Sequence, residues 1–150
     1  MVSRSTVDGF LSEKKFAVVG ASRSGGKFGN MVLKELGDKG YTMYPIHPEA
    51  DAIGDTKCFR SYADLPEPVN AVFIAVSPEK SAAAVREAHE AGVKRIWIQQ
   101  GARSDEAVAF CTEHGIEVVT RECIMMYAEP VESIHKFHRF LKKLFGRMPQ

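Results

Sequence analysis

The densest concentration of chemistry in this chain lies in the run Gly20-Ala21-Ser22-Arg23-Ser24-Gly25-Gly26-Lys27-Phe28-Gly29. Glycine lets a backbone turn steeply and leaves room for a ligand against the main chain. Ser22 and Ser24 add hydroxyl donors, and Arg23 and Lys27 add positive charge. A helix that starts at such a turn points free N–H groups and its positive dipole end at the same place. That combination suits a pyrophosphate. Two better-known phosphate loops fit less well. A P-loop needs G-x4-G-K-[ST], but Ala21 stands at its first glycine and Phe28 replaces the magnesium-binding hydroxyl. Magnesium-dependent nucleoside-triphosphate hydrolysis is therefore not expected. The dinucleotide fingerprint G-x-G-x-x-G needs a glycine where Ser22 stands. It also wants an acid at the end of the second strand, where this chain has His47-Pro48, with Glu49 just beyond.

Other reactive side chains are scattered. Cys123 is a candidate reactive thiol, since Arg121 or a helix N-terminus can lower a cysteine pKa, although Glu122 acts in the opposite sense. A structural thiol is the plainer reading of the same residue. His135 and His138 share a helical spacing, but there is no H-E-x-x-H pattern and no evident third ligand, so no metal is expected. Gln99 and Gln100 carry amides suited equally to a ligand or to a turn. No acid, base and nucleophile assemble from independent signals.

These residues need elements to place them, and the chain alternates short apolar runs with helical stretches. Strands are predicted at 16–19, 42–46, 71–76, 95–98 and 116–119, with Pro45 weakening the second. Helices are predicted from about 27 to 39, from Ser77-Pro78 to about 91, and from Ser104 to 114, with Gly40, Gly92 and Gly115 at their exits. Residues 49–68 read as an excursion with a short helix near Tyr62. Five strands separated by helices give a Rossmann-like parallel sheet with helices on both faces. The favoured strand order is 3-2-1-4-5, with a flavodoxin-like order as the alternative. Beyond Pro130 an amphipathic helix is expected. Val131, Ile134, Phe137, Leu141, Leu144 and Phe145 share a broad face of it, and Lys136, Arg139, Lys142, Lys143 and Arg147 lie mostly elsewhere.

The 150 residues are 45% apolar and 26% charged, which fits one domain with one core and excludes a disordered chain. A formal charge of +1 makes no demand for nucleic acid or an anionic membrane. Three cysteines without a C-x-x-C pair suit a reducing compartment, and no apolar leader or long apolar span is present, so a cytoplasmic location is expected.

The chain resembles the small stand-alone CoA-binding proteins, which are similar to the CoA-binding domain of the succinyl-CoA synthetase alpha subunit. The resemblance is carried by Val18-Val19-Gly20-Ala21-Ser22, by Gly40-Tyr41 with Pro45-Ile46-His47-Pro48, and by Ile53-Gly54. It continues through Tyr62-Ala63-Asp64-Leu65-Pro66, Trp97-Ile98-Gln99-Gln100-Gly101 and Arg121-Glu122-Cys123. It implies that a CoA diphosphate lies on Gly20, Ala21, Ser22, Arg23 and Ser24, with Lys27 nearby. It further implies that Pro45, His47 and Pro48 flank the adenosine, and that Val76, Ser77 and Pro78 line the crevice. The synthetase's phosphoryl-carrying histidine belongs to a domain outside this resemblance, so no catalytic role is carried over.

Residues 15–128 are accordingly expected to form a CoA-binding domain, with 1–14 an extension and 129–150 a helix packed on that domain or at an interface. The expected function is binding of coenzyme A or an acyl-CoA as a regulatory or binding protein without turnover. The alternatives are an NAD(P)-linked oxidoreductase and an interaction module that works through its C-terminal helix. The macromolecular partner expected is an enzyme or a second copy, not nucleic acid or a membrane.

Overall fold

The computed structural model describes residues 4–22, 28–53 and 56–124. In chain order these hold α1 (Arg4–Leu11), β1 (Lys15–Val19), α2 (Phe28–Asp38) and β2 (Thr42–Ile46). A small hairpin follows, β3 (Ala52–Ile53) with β4 (Thr56–Lys57), then a 3₁₀ turn at Tyr62–Asp64. The rest is β5 (Ala71–Ile74), α3 (Pro78–Glu90), β6 (Arg95–Ile98), α4 (Asp105–Glu113) and β7 (Glu117–Val119). The expected C-terminal helix, with His135 and His138, lies outside the described residues.

Side chains alternate across a strand, so a sheet buried on both faces needs apolar residues at successive positions. Phe16, Val18, Phe73 and Trp97 enter one apolar layer with α1 and α2. Ala17, Val72, Ile74, Ile96 and Ile98 enter the other, with α3 and α4. All four residues of β5 are buried, as befits the centre of the sheet. Residues 4–11, expected only as part of an extension, form a helix that puts Val7, Phe10 and Leu11 into the first layer. There Phe10 meets Phe16 and the edge of Trp97 at ring-centroid distances of 5.2 and 5.4 Å.

The five strands of the main sheet run parallel in the order β2-β1-β5-β6-β7, which is 2-1-3-4-5, the flavodoxin-like alternative, rather than the favoured 3-2-1-4-5. The reason is a third strand reduced to one residue. Phe59 makes an isolated parallel bridge with Ile46 on the outer edge of β2, donating to the Pro45 carbonyl and accepting from the His47 N–H. With Phe59 counted, the sheet reads 3-2-1-4-5-6. Pro45 is tolerated because its missing N–H belongs to the side facing this single bridge, not to the β1 ladder. The connections leaving β1 and β5 diverge, so the crevice of an open α/β sheet falls at the carboxyl ends of those two strands.

Candidate functional site

At that crevice the chain turns sharply at Gly20, whose φ of +119° is open to glycine alone in practice. A β-carbon there would overlap the Ala75 carbonyl oxygen just after β5. Gly29, in the first turn of α2, packs as closely from the other side: a β-carbon would come within 2.8 Å of the Ala21 nitrogen. These are the duties of the first and third glycines of a dinucleotide turn, a steep exit and a close helix approach. The connecting loop is longer than in that fingerprint.

Asn30 holds the start of this loop. Its Oδ1 accepts from the Ser22 N–H at 3.0 Å, and its Nδ2 donates to the Ser22 carbonyl at 2.8 Å. Sequence reasoning missed Asn30, because its role is a side-chain clasp across the loop rather than part of a motif. Of the predicted cradle, Gly20, Ala21 and Ser22 stand at the crevice, whereas Arg23, Ser24 and Lys27 lie outside the described residues.

The other predicted segments stand beside it. Val19 pairs with Ile46 on one side and Ile74 on the other, so the ends of β2, β1 and β5 are neighbours. Pro45 is buried in β2. His47 Nδ1 accepts from the backbone N–H groups of Glu49 and Ala50, both at 3.0 Å, which commits that nitrogen to the turn through Pro48. Beyond β5, Val76 is half-buried and Ser77 and Pro78 are exposed at the start of α3.

Of the helix N-termini at this end of the sheet, those of α2 and α3 follow the two strands that border the crevice, and they differ. In α3, Ser77 sits at the N-cap without a side-chain capping bond. Glu79 is held below the usual carboxylate range, chiefly by its own backbone N–H and then by the Ser77 hydroxyl. The positive end of α3 thus already carries a carboxylate of its own chain. The first turn of α2 has no acid. The α2 N-terminus beside the Gly20 turn thus keeps a positive end that no acid of its own first turn offsets.

Further along, Gln99 is buried, and its Oε1 accepts from the Ile124 N–H at 3.2 Å, so this amide holds a turn. Trp97 Nε1 donates to the Glu122 carbonyl at 3.0 Å, and together these bonds pin the segment around half-buried Cys123. Arg121, just before it, has φ of +62°. Fully buried Ser81 ties α3 to the loop after β6: its hydroxyl, with one proton to donate, lies 2.8 and 2.7 Å from the Pro78 and Ala102 carbonyls. Sequence reasoning missed Ser81 as well.

Comparison with known proteins identifies the family. Residues 14–129 match the family described as CoA binding domain. The chain belongs to that family. Within it, the uncharacterized protein YneT of Bacillus subtilis is 30% identical over 111 residues, covering 74% of this chain and 82% of that protein. Acetate–CoA ligase [ADP-forming] II of Archaeoglobus fulgidus is 35% identical over 95 residues, 62% of this chain but 14% of the ligase. The CoA-binding domain described here thus spans a small part of that enzyme. The solved structure of a hypothetical protein from Pyrococcus horikoshii OT3 has a TM-score of 0.75 at 30% identity, covering 83% of this chain and 88% of that one. Among the described residues no helix is long and apolar enough to cross a membrane.

Proposed function

We propose that this domain binds coenzyme A or an acyl-CoA, with the diphosphate in the turn after β1, and that it acts without turnover as a binding or regulatory protein. The observation that carries the reading is the Gly20–Gly29 packing: backbone approaches backbone there with no room for a β-carbon, beside the acid-free N-terminus of α2. In this reading Gly20, Ala21, Ser22, Arg23, Ser24 and Lys27 hold the phosphates. Pro45, His47 and Pro48 flank the adenosine, and Val76, Ser77 and Pro78 wall the crevice. A partner enzyme or a second copy of the chain is the fitting macromolecular partner.

Thermal unfolding with CoA, acetyl-CoA, NADH and NADPH in parallel tests this, because a ligand that binds only the native state raises apparent stability by mass action. CoA or acetyl-CoA should raise the Tm, and R23A should weaken CoA binding by about tenfold through loss of a charge-assisted phosphate contact. Stabilisation by NADPH and not by CoA would refute the reading.

A further inference from the structure

The first residue of α3, Pro78, stands at the crevice, and Glu87 lies ~14 Å along the helix from it. Between the last turn of α3 and segment 62–69 opens a separate cleft of about 730 Å³. It takes Ile46 from the end of β2 but no residue of the Gly20 turn or of the first turn of α3. We infer that this cleft binds a small organic cation, an ammonium group carried on an apolar alkyl or aryl body. The inference does not depend on what the Gly20 turn holds.

The walls account for the apolar body. Ile46, Leu65 and Val69 line the cleft, and Tyr62 lines it with them. The Tyr62 hydroxyl is shut away from solvent and has no hydrogen-bond partner among the described residues. What Tyr62 offers an occupant is therefore carbon surface. Burial, reinforced by Glu87, raises the phenol pKa, so this wall brings no charge of its own. An aromatic ring beside carboxylates is a favourable wall for a cation. The volume falls within the ~300–1,000 Å³ of small-molecule sites, which are mostly apolar with a few convergent polar groups.

The carboxylates account for the ammonium. Four ionised groups line the cleft: Arg60, Glu67, Glu87 and Glu90. Arg60 is held by Asp51 at 2.9 Å, and Glu67 by Lys15 at 2.7 Å. Among the described residues no ion pair engages Glu87 or Glu90. Arg86 of the same helix pairs instead with Glu106 of α4, at 3.6 Å. Both free carboxylates stand in the last turn of α3, where unpaired helix carbonyls add negative potential. Their i,i+3 spacing sets them on one side of the helix, close enough for a single ammonium to lie between them. A neutral apolar molecule would use the walls alone, and an anion would be repelled. Only a cation with an apolar body uses both.

The test is an amide NMR titration of the full-length protein with 2-phenylethylamine and, separately, with 2-phenylethanol, which exchanges the ammonium for a hydroxyl. The amine should give saturable shifts at residues 62–69 and 87–91, and the alcohol should bind on the order of tenfold more weakly. Added salt should narrow that difference. In the E87Q/E90Q double variant the amine should fall to the affinity of the alcohol, with the amides of β1 and β5 unmoved as the sign of an intact fold. No saturable shift at those amides would overturn the inference. Equal affinity of amine and alcohol in the wild type would do so as well, leaving a merely apolar groove. Undiminished amine affinity in the double variant would remove the carboxylates from the site and with them the proposal.

Discussion

Replacing Asn30 by alanine removes two bonds to Ser22 at the start of the loop after β1. Each is a part-buried hydrogen bond between neutral groups, worth about 1 kcal/mol net. The pair therefore supports about 2 kcal/mol of stability, which in a chain of this size corresponds to about 4–8 °C in Tm. The binding effect is separate. With these two bonds lost, the proposed ligand must supply more of the loop's order, and about 1.4 kcal/mol of ordering entropy lowers CoA affinity about tenfold. Asn30→Asp sharpens the test. It keeps an acceptor for the Ser22 N–H but sets a carboxylate against the Ser22 carbonyl and beside the proposed diphosphate. N30D should therefore bind CoA more weakly than N30A. Calorimetric unfolding and titration calorimetry on the three proteins read both effects. An N30A protein with wild-type Tm and wild-type CoA affinity would refute the clasp as an organiser of the site.

Gly20→Ala should cost roughly 2–4 kcal/mol in a urea titration, since it adds a contact with the Ala75 carbonyl to a positive φ; an unchanged midpoint would contradict the close approach. Burial raises the Cys111 thiol pKa to about 11 and also raises that of Cys58, helped by Asp51. In native protein at pH 8 an aromatic disulfide reagent should therefore titrate Cys123 promptly and the other two only on unfolding; rapid reaction of all three would disprove the packing around α4. The Glu67 carboxyl is held below its ordinary value of 4.5, first by the Lys15 ammonium and then by the Tyr44 hydroxyl. A depressed folded-state pKa stabilises above the unfolded value and loses that contribution as pH falls through the folded value. The Tm advantage of wild type over E67Q should thus be steady above about pH 5 and shrink as the pH drops below 4.5; an advantage that grows on acidification would reverse the assignment.

Local pattern made much of the fold legible. The run Ala71–Ile74 is apolar at every position, and only a strand buried on both faces asks for that. Ser104 was readable as a cap, and its Oγ does accept from the Ala107 N–H. The third strand could not be read, because it survives as one bridge at Phe59, and a single residue has no period. α1 was hidden for a related reason. Gly9 interrupts it and its apolar positions are few, so it depends on distant Phe16 and Trp97 more than on its own propensity. At the site, Gly20 was visible because glycine after a first strand has a known physical use. Asn30 and Ser81 were not, since each acts on a backbone group whose proximity arises only from the tertiary path.

The single bridge at Phe59 has a consequence for self-association. A sheet grows when an open edge offers a row of alternating donors and acceptors to another strand. Along the outer side of β2, the Pro45 position has no N–H to offer, its carbonyl is taken by Phe59, and the next donor, on His47, is spent on the same residue. At the opposite margin β7 is only three residues long. Phe59 therefore acts less as a strand than as a stopper: one residue occupies the Pro45–His47 stretch of the margin along which a further β-segment could be templated.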